Sequence, residues 1–93
     1  MPRYLIIRRF HVGEDEMTEI GSRSRKVIDE KYPQIVWEHS HVVVGDDGTV
    51  MTYCVYEAPS EEMVREHSID LGSHTIDQVL EIAGDVTPAD FPG

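Results

Sequence analysis

The stretch from Ile35 to Glu57, IVWEHSHVVVGDDGTVMTYCVYE, decides the fold. Two runs rich in β-branched and aromatic residues flank Gly45-Asp46-Asp47-Gly48, and strand formers around a Gly/Asp cluster read as a β-hairpin. A two-residue Asp47-Gly48 turn would set His41 opposite Cys54 and His39 opposite Tyr56, all on one face. One extra loop residue sends Cys54 to the other face and brings Tyr53 and Val55 opposite the histidines instead. Both registers remain open in the sequence.

Working outward, Arg3 to Phe10 alternates, with Tyr4, Ile6, Arg8 and Phe10 on one side and Leu5, Ile7 and Arg9 on the other. Apolar groups on both sides predict a central strand. The acidic Gly13-Glu14-Asp15-Glu16 opens a helix whose inner stripe is Met17, Ile20, Ser24, Val27 and Ile28, and Tyr32-Pro33 stops it. After the hairpin, Ser60 reads as an N-cap, Glu61 and Glu62 as a first turn, and Gly72 as the end of a second helix. Ile76 to Val86 alternates again and is expected to form the last strand.

The order β-α-β-β-α-β predicts an α+β, ferredoxin-like domain spanning residues 1–93: a four-stranded antiparallel sheet with two helices on one face. A chain of 93 residues buries only about 60–65% of its unfolded surface. An open sheet face on so small a domain favours self-association, so a homodimer of the α/β-barrel kind is expected.

Eighteen acidic residues against eight basic ones give a net charge of −10, which disfavours nucleic acid and anionic membranes as partners. The few basic clusters, Arg8-Arg9 and Arg23 to Lys26, read as solvated edges. Cys54 is the only cysteine, which rules out an intrachain disulfide and fits a reducing, cytoplasmic setting; no signal peptide or membrane-spanning run is evident.

The densest chemical run is Trp37-Glu38-His39-Ser40-His41. A strand places His39 and His41 on one face about 7 Å apart, a chelating arrangement suited to nickel, copper, zinc or iron. Remaining ligands must come from elsewhere in the fold or from a second subunit. Cys54 reads either as a small buried hydrophobe or as a ligand, and His67 falls in the apolar stripe of the second helix, aimed at the sheet. His11 and His74 flank strands and are expected at the surface. No triad, phosphate loop or calcium loop is present, so nothing marks an enzyme.

Three segments carry a family resemblance: Trp37-Glu38-His39-Ser40, then Thr52-Tyr53-Cys54-Val55-Tyr56-Glu57-Ala58-Pro59, then Glu61-Glu62-Met63-Val64-Arg65-Glu66-His67. Together they resemble a family of small nickel-binding, ferredoxin-like proteins with W-x-H-S, T-Y-C-x-Y-x-A-P and E-E-x-x-R-E-H motifs. The resemblance implies a dimeric fold that binds nickel or a similar divalent ion at or near the subunit interface. His39, Cys54 and His67 stand on motif positions, whereas His41 replaces a common tyrosine and the hairpin is longer than the family's short turn. The expected function is binding or sequestration of nickel or a related metal, with His39, His41, Cys54 and His67 as candidate ligands. The alternative is a dimeric α/β-barrel enzyme or small-ligand module with a pocket on the open sheet face, and a third possibility is an interaction subunit.

Overall fold

A computed structural model describes all 93 residues. Four strands, β1 (Arg3–Phe10), β2 (Val36–Val44), β3 (Val50–Glu57) and β4 (His74–Glu81), form one sheet in the order β2-β3-β1-β4. Every neighbouring pair is antiparallel. Helices α1 (Met17–Lys31) and α2 (Glu61–Leu71) pack side by side on one face, giving the expected ferredoxin-like β-α-β-β-α-β domain. No helix is long and apolar enough to cross a membrane.

Local chemistry accounts for these boundaries. In β1, Tyr4, Ile6, Arg8 and Phe10 are all buried and alternate with more exposed neighbours, and the strand is central. Helix α1 follows a short 3-10 turn over Glu14–Glu16 and buries Ile20, Ser24 and Ile28, spaced four apart along one stripe. In α2, the Ser60 Oγ accepts from the Met63 backbone N–H at 3.2 Å, and Gly72 ends the helix at φ 71°, where glycine carries no Cβ penalty.

The last strand differs from expectation, running over His74–Glu81 rather than Ile76 to Val86. Gly72 and Ser73, both at positive φ, reverse the chain immediately after α2, and the Ser73 carbonyl accepts from the His11 N–H at 2.9 Å. Pairing therefore starts early. It stops early because β1 begins at Arg3, whose carbonyl takes the Ile82 N–H at 2.8 Å, so residues beyond have no strand to pair with.

The hairpin adopts the longer of the two loops. Gly48 N–H donates to the Gly45 carbonyl at 2.9 Å, Gly45 N–H to the Thr49 carbonyl at 2.8 Å, and Gly48 sits at φ 84°. That is a three-residue loop, Asp46-Asp47-Gly48, in which a turn is followed by a left-handed glycine. Asp47 Oδ1 accepts from the Thr49 N–H at 2.9 Å and holds it. The strands accordingly pair Ser40 with Cys54, His41 with Tyr53 and His39 with Val55. The ladder shifts again at Glu38, which lets Trp37 stand opposite Tyr56.

The core lies between helices and sheet, built around Ile6, Ile28, Cys54, Tyr56 and Val64, with Phe10, Ile20, Val50 and Leu71 as a second cluster towards the other end of β1. Val55, Tyr53, Leu5 and Ile7 lie on the opposite, helix-free face beside the exposed Leu80 and Val43.

Candidate functional site

The register divides the four candidate ligands between the two faces of the sheet. His39 and His41 project from the exposed edge strand β2 on the open face, with ring centroids 5.4 Å apart and planes inclined at 73°. Both rings are accessible. Cys54 points the other way, into the core, at 3% exposure. The single-face His39, His41 and Cys54 group of the two-residue-turn register does not form, because the third loop residue shifts β3 by one position. Nor does His67 approach His39, since α2 places it on the helix side of the sheet.

His67 is fully buried, with its Nε2 3.2 Å from Ser24 Oγ on α1. Tyr32 meets its ring edge-on at 6.2 Å and Tyr56 lies 5.6 Å away. Burial, reinforced by the Arg8 guanidinium, pushes its pKa down from 6.5 to about 4, so it is neutral at ordinary pH. Its Nδ1 is buried without a partner.

Beside it lies Arg8, which the sequence predicts at a solvated edge and the structure buries. Arg8 is only 2% exposed, whereas Arg9 is exposed and pairs with Asp77 at 3.0 Å. The Arg8 Nη1 donates to Cys54 Sγ at 3.2 Å and to Tyr56 Oη at 3.5 Å, and its Nη2 to Ser68 Oγ at 3.0 Å. Its carbon lies 5.2 Å from the Tyr56 ring centroid. No carboxylate pairs with it, and its Nε has no partner. The available signal was its phase, since Arg8 falls in step with the buried Tyr4, Ile6 and Phe10. A cation at Cys54 or His67 would face this buried positive charge, which disfavours a metal there.

A cavity of about 450 Å³ opens between α1 and the sheet, lined by Arg8, Ser24, Cys54 and Tyr56 and walled on its outer side by residues Trp37 to Ser40 of β2. It lies on the helix side, not on the open face where the small-ligand alternative placed its pocket, because alternation turns Cys54 and Tyr56 towards the helices.

The remaining candidates are ordinary structural groups. Glu38 accepts a forked pair from Arg3, at 2.8 Å to Nε and 3.1 Å to Nη2, which holds its carboxyl below the usual carboxylate range. His11 Nε2 lies 2.8 Å from Thr75 Oγ1, and His74 Nδ1 lies 2.7 Å from the Gly72 carbonyl, tying the end of β1 and the start of β4 to their surroundings. Within one chain no group of three or more His, Cys, Asp or Glu side chains is arranged to hold a metal ion. His39 and His41 thus offer two ligands and no third.

Comparison with known proteins bears on this arrangement. No curated protein matches the chain. A solved structure described as protein YJCS, from structural genomics, aligns with 91% of this chain and 100% of its own at 15% identity, with a TM-score of 0.45. A family model described as "Nickel responsive protein SCO4226-like" matches residues 4–82, which hold both helices, all of the sheet but Arg3, and every candidate ligand. By that match the chain belongs to the SCO4226-like nickel responsive protein family.

Proposed function

We propose that this protein binds a divalent transition metal, nickel foremost, through His39 and His41, and that it does so as a homodimer whose open sheet faces meet. The observation that carries the reading is the His39–His41 pair itself: two exposed imidazoles on one face of one strand, 5.4 Å apart. Neutral imidazole suits nickel, and neighbouring strand positions hold two rings at little entropic cost on binding. The family's nickel responsiveness supports the choice of metal.

Two ligands from one chain leave a coordination shell incomplete. A two-fold dimer repeats every ligand, so a second copy offers a second His39–His41 pair. Apolar surface on the same face, from Leu5, Ile7, Tyr53, Val55 and Leu80, supplies a reason for the copies to pair there. In this reading the protein sequesters or buffers the metal and performs no chemistry on it. The net charge of −10 draws cations towards the surface.

Calorimetric titration of metal-free protein with nickel, copper and zinc, repeated for His39→Ala, tests the assignment. Nickel binding is expected to weaken sharply in the variant. Unchanged nickel affinity would remove His39 from the site and sink the reading.

A further inference from the structure

The cavity under α1 has a charge that the chain leaves unbalanced. Burying a cation costs several kcal/mol unless an anion compensates it, and Arg is almost never fully buried unpaired. Arg8 is buried among neutral acceptors, the Cys54 sulfur, the Tyr56 phenol and the Ser68 hydroxyl, with Nε unused. The chain carries 18 acidic residues, yet its ion pairs all lie at other basic residues and no carboxylate is turned inwards to Arg8.

We infer that this cavity is a binding site for a small organic monocarboxylate with a compact apolar body, its carboxylate held by the Arg8 guanidinium. The volume of about 450 Å³ falls within the usual range for small-molecule sites. Met17, Ile20, Trp37 and Leu71 give the apolar lining and Ser24, Thr52 and Tyr56 add neutral hydrogen-bonding groups, while Glu38, the one acid at the wall, has both carboxylate oxygens engaged by Arg3. Entry is from the β2 edge, where Val42 is 51% exposed. A single guanidinium balances a single negative charge. His67 nearby stays neutral and adds no second cation, so a dianion such as phosphate would bring an uncompensated charge into an apolar chamber. The imidazoles of His39 and His41 project from the other face of β2, although residue 39 contributes to the cavity's outer wall, and the site does not depend on metal binding.

Thermal shift and calorimetry on the full chain, with benzoate, phenylacetate and hexanoate as probes, test the inference. Benzamide, phenylacetamide and hexanamide serve as neutral controls and inorganic phosphate as a charge control. At least one carboxylate should raise the melting temperature dose-dependently and bind measurably, while its amide and phosphate do not. Arg8→Met should abolish that binding. Because removing Arg8 could also impair folding, Gly21→Leu provides a second arm: Gly21 lies on the lining stripe of α1, and a Cβ there meets nothing within 4 Å. A leucine side chain there takes up room in the chamber, and carboxylate binding should weaken by about tenfold or more. No response to any carboxylate at millimolar concentration, equal binding of amide or phosphate, or undiminished binding by Gly21→Leu would overturn the inference.

Discussion

Ser40 stands opposite Cys54 across the β2–β3 ladder, and this one pairing turns His39 and His41 away from the cysteine. The protein therefore has two chemically distinct faces: exposed imidazoles on the open side, and a buried layer of Arg8, Cys54, Tyr56 and His67 under the helices. Chemical labelling should separate them. Diethyl pyrocarbonate is expected to modify His39 and His41 readily and to spare His67 in the folded protein. Ellman's reagent should react with Cys54 only on the timescale of unfolding. Rapid labelling of Cys54 in native buffer would contradict its burial beneath the helices.

Acid stability should carry the signature of His67. Its folded pKa is depressed to about 4 from an ordinary 6.5, chiefly by burial and then by the Arg8 charge. Between those values the unfolded chain binds a proton that the folded one refuses, so stability is unaffected above pH 6.5 and falls as the pH drops towards 4. The loss from this group reaches about 3 kcal/mol. Denaturant titrations of His67→Gln from pH 7.5 to 4 should show a shallower decline than the parent chain. Parallel declines would contradict the assignment.

The hairpin and the second helix rest on two local devices whose removal should be felt in melting temperature. Ser60→Ala removes the hydroxyl that accepts the Met63 N–H and should cost about 1 kcal/mol. Gly48→Ala places a Cβ at φ 84° and should cost a similar amount, about 1 kcal/mol. For a domain of this size each change should lower the melting temperature by about 4–8 °C. A neutral Gly48→Ala would argue against the left-handed loop that fixes the register.

Dimerisation through the open face makes a prediction away from the histidines. Leu80 is 47% exposed beside Leu5 on that face, so Leu80→Glu puts a charge where two copies would meet while leaving the core intact. Light scattering should find the parent chain dimeric and the variant monomeric, with weaker nickel binding in the variant. A monomeric parent that binds nickel with full affinity would separate the metal site from any dimer.

Much of the fold was legible because local signals agreed. Ser60 and Gly72 bracket α2, Tyr32-Pro33 ends α1, and the alternation of Tyr4, Ile6, Arg8 and Phe10 marks a strand. The register was not legible, since Gly45-Asp46-Asp47-Gly48 suits a two-residue turn and a three-residue loop with a left-handed glycine equally well. With Cys54 and Tyr56 packed against the helices, the two-residue turn would face His39 and His41 inwards, whereas the three-residue loop turns Ser40 and Val42 inwards in their place. The ladder shift at Glu38 left no mark in composition, though it sets Trp37 against Tyr56 at 6.1 Å. Arg8 was in phase with the buried set, but charge argued for solvent, and no pattern in one dimension reveals that a buried arginine lacks an acid.

The most direct test of metal binding is a crystal structure of the nickel-loaded protein with anomalous scattering recorded at the nickel edge. The account predicts an anomalous peak coordinated by the imidazoles of His39 and His41 on the open face, with a second copy completing the shell. A peak at Cys54 or His67 beneath the helices, or none near β2, would contradict it.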